Sequence, residues 1–215
     1  MDLRIGLSQR VVEVADYGET RDAIDQAWYR FLDVALPGTI VVPIPNIGDG
    51  AVGFAKSLGL GGFVFTGGND LGECIQRDET EIALLNHAHE CGMPVVGVCR
   101  GFQMMNVHNG GSIAPCSARQ HVATRHEVSF SSDTTWGWRA NEAATVNSFH
   151  NFTIRSAGIA PDWIRLAQTS DGDVEAARDQ EGRQVGIMWH PERQHPNAET
   201  DINLMRVCLA GSNHD

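Results

Sequence analysis

The sequence predicts an α/β fold built on a mostly parallel central sheet, and three features of the 215-residue chain predict it. Short apolar runs alternate with stretches of helical periodicity through the first half of the chain. The run Pro94–Val98 holds no polar side chain, as expected of a strand covered on both faces. Apolar residues make up 42% and charged residues 20%, with no repeat, low-complexity tract or linker, so residues 1–215 read as one domain.

In chain order, Leu3–Leu7 reads as the first strand. Asp22–Leu36 reads as a helix with Ile24, Ala27, Trp28, Phe31 and Leu32 on one face, stopped by Pro37-Gly38. Thr39–Pro43 is a second strand, Ala51–Leu58 a short helix, and Gly62–Phe65 a third strand entering the loop Thr66–Asp70. Asp78–Cys91 carries Ile82, Leu85 and Ala88 at helical spacing and stops at Gly92 and Pro94. The Pro94–Val98 strand is followed by a helical stretch, Phe102–Val107. Beyond residue 110 the pattern weakens. The segment to Trp138 reads as irregular, and whether Trp136 and Trp138 form a lid or a core is open. Thr145–Ser148 and Ile164–Thr169 read as strands, and Glu175–Arg178 with Gln184–Trp189 as a pair joined through Asp179–Gly182. Antiparallel strands are therefore expected beside the parallel core. Asp201–Leu209 is the last helix.

The formal net charge is −11, and of the 16 basic residues only Lys56 is a lysine. An acidic surface repels phosphate backbones and anionic membranes, which argues against nucleic-acid and membrane partners. Any anion site must be built of arginines. The N-terminal MDLRIGLSQR lacks the apolar stretch of a signal peptide, and no apolar run approaches the ~20 residues of a membrane span. Five cysteines, odd in number and without a C-x-x-C pair, fit a reducing compartment, so a cytoplasmic protein is expected. The nine histidines show no metal-ligand spacing, and neither a metal nor another cofactor is expected.

Chemistry concentrates at Gly97-Val98-Cys99-Arg100-Gly101-Phe102-Gln103, where an apolar strand runs into a cysteine flanked by glycines and then into a helix. That is the pattern of a nucleophile elbow with cysteine in place of serine: a sharp strand-to-helix turn leaves no room for side chains on either side. The sulfur then sits at a helix N-terminus, which favours thiolate, and the Arg100 N–H points where an oxyanion would form. A core cysteine at a strand end would be the plain alternative. The other four cysteines have no such setting and read as structural. A thiolate also needs a base held by a third group. Trp189-His190-Pro191-Glu192 supplies both, because in extended chain His190 and Glu192 share a face. Phe65-Thr66-Gly67-Gly68-Asn69-Asp70 ends a strand in a glycine turn and lacks a phosphate-loop lysine; its natural role is a second oxyanion donor, the Gly68 amide.

In order, F-T-G-G-N-D, R-D-E-T-E, G-V-C-R-G-F-Q, N-S-F-H-N and W-H-P-E resemble the class I glutamine amidotransferase family. Within it they are most similar to free-standing γ-glutamyl hydrolases of the peptidase C26 type. The resemblance implies a three-layer, flavodoxin-like sandwich and a Cys-His-Glu triad of Cys99, His190 and Glu192. It implies an oxyanion hole from the Gly68 and Arg100 amides. It further implies a glutamyl site drawn from Gly67, Asn69, Gln103, Ser148, Phe149 and His150, the last three in the segment that begins at Asn147. Without the resemblance, Gln103 reads equally as a polar helix residue and His150 as an ordinary strand-end histidine.

The N-terminal segments Ser8–Arg10, Tyr17–Asp22 and Asp25–Trp28 place polar and aromatic residues after the first strand, at the end of the sheet where α/β ligands bind. Here the chain resembles γ-glutamyl-CDP-amidate hydrolases of bacterial capsule biosynthesis, which release cytidine diphosphoramidate from its γ-glutamyl conjugate. This resemblance implies that Arg10 and Arg21 offset the diphosphate and that Tyr17 or Trp28 stacks on the base. A solvated loop, with Trp28 in the helix core, is the plain alternative, and the acidic net charge demands local clustering of arginines. The expected activity is cysteine-dependent hydrolysis of a γ-glutamyl amide, releasing glutamate through a thioester. A γ-glutamyl-GABA hydrolase, a glutaminase subunit passing ammonia to a separate synthetase, and a silent binding protein are the alternatives. Loops, which read the leaving group, separate the hydrolases. The expected partner is a small γ-glutamyl substrate, and the oligomeric state, a homodimer included, is open.

Overall fold

The computed structural model describes residues 3–116, 122–193 and 196–211. Its parallel core runs β4 (Ile40–Ile44), β1 (Arg4–Ser8), β5 (Gly62–Phe65), β6 (Val95–Val98) and β13 (Gln184–Ile187). From β13 the sheet continues antiparallel through β12 (Asp173–Arg178), β11 (Ile164–Gln168), β8 (Val122–Phe130) and β9 (Ala143–Phe149). β10 (Phe152–Arg155) pairs with β12 and with the short β7 (Ala114–Pro115). The later strands thus extend the parallel core with antiparallel partners, as expected.

Two helical layers cover the parallel strands. Alternation along each strand divides the core between them. On β5, Val64 packs with Trp28 and Leu32 of α1 (Gln26–Ala35) and Leu204 of α5 (Ala198–Met205). Phe63 and Phe65 face the other way, toward α2 (Gly50–Leu58), α3 (Ile75–Cys91) and α4 (Arg100–His108). Gly59 and Gly92, both left-handed, end α2 and α3. Among the described residues, no helix is long and apolar enough to cross a membrane.

The expected helix over 22–36 begins only at Gln26, because Asp25 caps it by accepting the Ala27 N–H at 2.9 Å. Ahead of the cap lies a hairpin, β2 (Arg10–Val14) against β3 (Glu19–Ala23), turned at the left-handed Gly18. Both its faces are mostly solvated, so it carries no apolar alternation to read. The stretch from 110 to Trp138 is less irregular than expected, since it contains β8; residues 117–121 lie outside the described set. Trp136 and Trp138 belong to a core. Trp136 is buried, and Trp138 stacks on Phe130 at 4.7 Å, whose ring meets Trp189 edge-on. The last strand ends at Ile187 rather than Trp189. The last helix starts at Ala198 and closes with a π-helical turn, Arg206–Ala210.

Candidate active site

Cys99 stands between the end of β6 and the first turn of α4, with φ 53° and ψ −109°. A residue other than glycine in this region costs about 1–3 kcal/mol and is kept only where its surroundings enforce it. Here the neighbours do so. A Cβ on Gly101 would strike the Phe65 carbonyl, and one on Gly97 would strike the Met105 thioether and the Phe102 N–H. The Cys99 N–H is held by the Ile187 carbonyl of β13 at 2.7 Å.

His190 leaves the end of the β13 segment and presents Nδ1 to Glu192 Oε1 at 2.7 Å. Its backbone is clamped by one side chain. Asn147 Nδ2 donates to the His190 carbonyl at 2.9 Å, and the His190 N–H donates to Asn147 Oδ1 at 2.8 Å. The preceding Trp189 is fixed by its indole N–H, which donates to the buried Asp201 carboxylate of α5 at 3.1 Å. Gly67 leaves room for the imidazole: a Cβ there would lie 2.6 Å from His190 Cε1. Cys99 lines the same cavity as His190, and the thiol interacts directly with the imidazole whose Nδ1 Glu192 holds.

Burial alone would raise the Cys99 thiol, but the hydrogen bond and charge of His190, with His150 and the Arg100 N–H, hold it below the usual range. For His190, burial opposes protonation; the Cys99 and Glu192 hydrogen bonds outweigh it and raise the imidazole to about 9. The two shifts together favour the thiolate–imidazolium form of the pair over thiol and neutral imidazole. The stability this gives His190 is complete below its ordinary value and is lost as pH rises through about 9. We expect kcat/KM to rise with pH as Cys99 ionises, below the usual thiol range, and to fall through about pH 9 as His190 loses its proton. A profile still climbing at pH 10 would contradict that pairing.

The glycine turn after β5 is organised from behind by Arg77 of α3, which is fully buried. Its guanidinium donates to the carbonyls of Thr66 at 2.7 Å and Gly67 at 3.1 Å, and to that of Gly68. In a trans peptide, C=O and N–H point in opposite directions. Fixing the Gly67 carbonyl on Arg77 thus turns the Gly68 N–H to the other side, where Gly68 lines a cavity of about 270 Å³ shared with Cys99 and His190. Arg77 is held in turn by Glu81, one helical turn on, at 3.1 Å. Glu81 also takes the Arg100 side chain, which pairs with Asp78 as well and so points away from the cavity. Burial, joined for Arg100 by the Arg77 charge, draws the two guanidiniums down to about 10 and about 9; both stay cationic at pH 7.

The other expected site residues divide. Gly67, Gly68, Phe149 and Arg10 line the cavity, and Phe149 meets His190 edge-on at 5.6 Å. Trp28 is buried against the core, as the plain alternative has it, and also lies in the cavity wall. Asn69 turns its amide to β2, accepting the Val11 N–H at 2.8 Å and donating to the Val11 carbonyl at 3.1 Å. Gln103 is buried and donates to the Phe152 carbonyl at 2.8 Å; Ser148 is fully buried, and His150 is buried and is not among the residues lining the cavity. Tyr17 and Arg21 lie away from the cavity. Tyr17 is 73% exposed at the hairpin turn, and Arg21 pairs with Glu19 on the same hairpin, a pairing too exposed to hold a ligand pocket. The sequence reading missed Arg77, Glu81 and the Asn147 clamp. Arg77 and Glu81 stand four apart on the helix face that carries Leu84, Leu85 and Ala88, a buried ion pair that this spacing signals.

Residues 5–192 match the peptidase C26 family. The chain belongs to that family, and with it to the amide-bond hydrolases. It is 30% identical over 208 residues to the gamma-glutamyl-CDP-amidate hydrolase of Campylobacter jejuni, covering 94% of this chain and 95% of that one. A solved glutamine amidotransferase from Thermotoga maritima superposes with a TM-score of 0.66 over 100% of this chain and 87% of its own, at 14% identity. A solved protein from Thermoplasma acidophilum, named for GMP synthase, gives 0.71 at 21% identity, over 97% and 94% of the two chains. These two likenesses show the fold: a glutamine amidotransferase-like α/β sheet.

Proposed function

We propose that the chain hydrolyses a γ-glutamyl amide and that γ-glutamyl-CDP-amidate is its substrate. The observation that carries the reading is the line Cys99–His190–Glu192 at a strained elbow, opening on a cavity that the Gly68 amide also faces. Cys99 thiolate attacks the γ-carbonyl, and the oxyanion is taken by the Gly68 and Arg100 N–H groups. His190 gives its proton to the departing nitrogen as the C–N bond breaks, leaving a γ-glutamyl thioester. The same imidazole then takes a proton from water, which attacks the thioester and releases glutamate and the free thiolate. Glu192 holds Nδ1 throughout and stabilises the imidazolium.

The mouth of the cavity supports the diphosphate-bearing leaving group. Arg10 extends from β2 over the glycine turn, its guanidinium packed on Gly68, and Arg193 lies over the Phe149 ring at 4.0 Å. Two arginines at one mouth make the local cationic cluster that an acidic protein needs for such a substrate. Cytidine diphosphoramidate released this way would serve phosphoramidate modification of a surface polysaccharide, with the hydrolysis in the cytoplasm.

Glutamate release by the purified chain, compared across γ-glutamyl-CDP-amidate, γ-glutamyl-GABA and L-glutamine, tests the reading. Rapid turnover of the first alone is expected. Arg10→Ala should then raise KM for the CDP conjugate about tenfold or more, the worth of one charge-assisted hydrogen bond. The same change should leave an uncharged γ-glutamyl anilide unaffected. Preference for glutamine, or an equal loss on both substrates, would contradict the assignment.

A further inference from the structure

Behind the cavity lies a second cluster of ionisable groups that the proposed reaction does not use. Glu175 of β12 is fully buried, with one carboxylate oxygen 3.2 Å from His126 Nε2 of β8 and the other 3.5 Å from His150 Nε2. The opposite nitrogen of His150, Nδ1, lies 2.9 Å from the Phe152 carbonyl, with the Cys116 thiol 3.5 Å away. The two imidazoles meet edge-to-face at 6.3 Å. Among the described residues no such group has the arrangement to hold a metal ion.

The protonation of His150 follows from its neighbours. A carbonyl oxygen only accepts, so Nδ1 carries a proton. A buried carboxylate is costly unless it faces donors, so Nε2 carries one as well. With both nitrogens protonated the ring is an imidazolium, ion-paired with Glu175. His150 can therefore act on the site as a charge. The titratable groups facing it are Glu175 from β12, His126 from β8, Cys116 after β7 and Cys99 at the head of α4. Of these, Cys99 is the one whose ionisation the chemistry needs.

We propose that Glu175 is a positioning residue that fixes His150 as an imidazolium, so that the Cys99 thiolate is stabilised by two cations, His190 and His150. The proposal builds on the reading of Cys99 as nucleophile but is tested without turnover. The direction agrees with the electrostatics: burial opposes protonation of His150, and the Cys116 and Glu175 contacts overcome it, raising the ring to about 10.

Two measurements test it. In the wild-type protein labelled with ¹⁵N-histidine, with the His150 signals assigned by their loss in His150→Gln, both ring nitrogens should remain protonated at pH 8.5. A neutral tautomer there would overturn the proposal whatever any variant does. Second, the pH midpoint for iodoacetamide alkylation of the Cys99 peptide, read by mass spectrometry, should rise by about one unit in Glu175→Gln, a tenfold loss of thiolate below the midpoint. Glu175→Asp should restore part of the shift, and Glu175→Gln combined with His150→Gln should move it no further than either alone. A folded Glu175→Gln with the wild-type midpoint would overturn the proposal; a merely structural role lowers the folded fraction without moving a midpoint. Loss of turnover in Cys99→Ala is a separate readout, so failure here leaves the nucleophile assignment standing.

Discussion

Cys99→Ala is expected to abolish glutamate release, by on the order of 10⁶-fold, in a protein that folds as before. The change removes one sulfur from a site only 5% exposed and keeps the Cβ, so the backbone at φ 53° stays as strained as in the wild type. The residual rate would come from binding and oxyanion stabilisation alone. Cys99→Gly separates the strain from the chemistry. It should be equally inactive yet about 1 kcal/mol more stable than the alanine form, because glycine relieves a strain of about 1–3 kcal/mol and returns roughly 1 as chain entropy. Denaturant unfolding of the two inactive variants measures that difference. An alanine form more stable than the glycine form would show that the elbow is not under tension.

Arg77→Lys should be nearly as damaging to the rate as Arg77→Ala, although it keeps the charge. The guanidinium spans the Thr66, Gly67 and Gly68 carbonyls and Glu81 at once, and a lysine ammonium, a point donor on a flexible stem, cannot. With the turn no longer held from behind, the Gly68 N–H loses its fixed direction, and kcat should fall on the order of 10²–10³-fold, the effect of losing one oxyanion donor. The alanine variant should also lose about 3–5 kcal/mol of stability, since it opens a buried ion-pair network and strands its carbonyls. Steady-state kinetics with denaturant unfolding checks both. A lysine variant at wild-type kcat would mean that Arg77 only holds the fold.

Much of the fold and site was legible because the signals are local. The apolar run before Cys99, the glycines on either side and the two-residue spacing of His190 and Glu192 are short-range patterns, and each forces one backbone geometry. The parallel core was legible for the same reason: strands covered on both faces have few polar residues to confuse them. The β2–β3 hairpin was not, because a solvated two-stranded ribbon has no apolar period, and this removed Tyr17 and Arg21 from the cavity. Residues that act across the fold were equally hidden. Asn147 clamps a backbone 43 residues away, and Glu175 draws together a histidine of β8 and one just past β9, neither of which leaves a spacing to read. Arg77 and Glu81 lay in a recognised motif without a role, because their partners belong to a turn that only the fold brings near.

One covalent bond is central to the proposed chemistry, a thioester between the γ-carbonyl carbon of the substrate and the Cys99 sulfur. Acid-quenching the wild-type protein during turnover of γ-glutamyl-CDP-amidate, followed by mass spectrometry of its peptides, tests it. Acid stops the water step while leaving the thioester intact, so one γ-glutamyl group should appear on the peptide carrying Cys99, with the other four cysteines unmodified. Glutamate formed with no adduct at Cys99, in a protein whose Cys99→Ala variant still turns over, would contradict it.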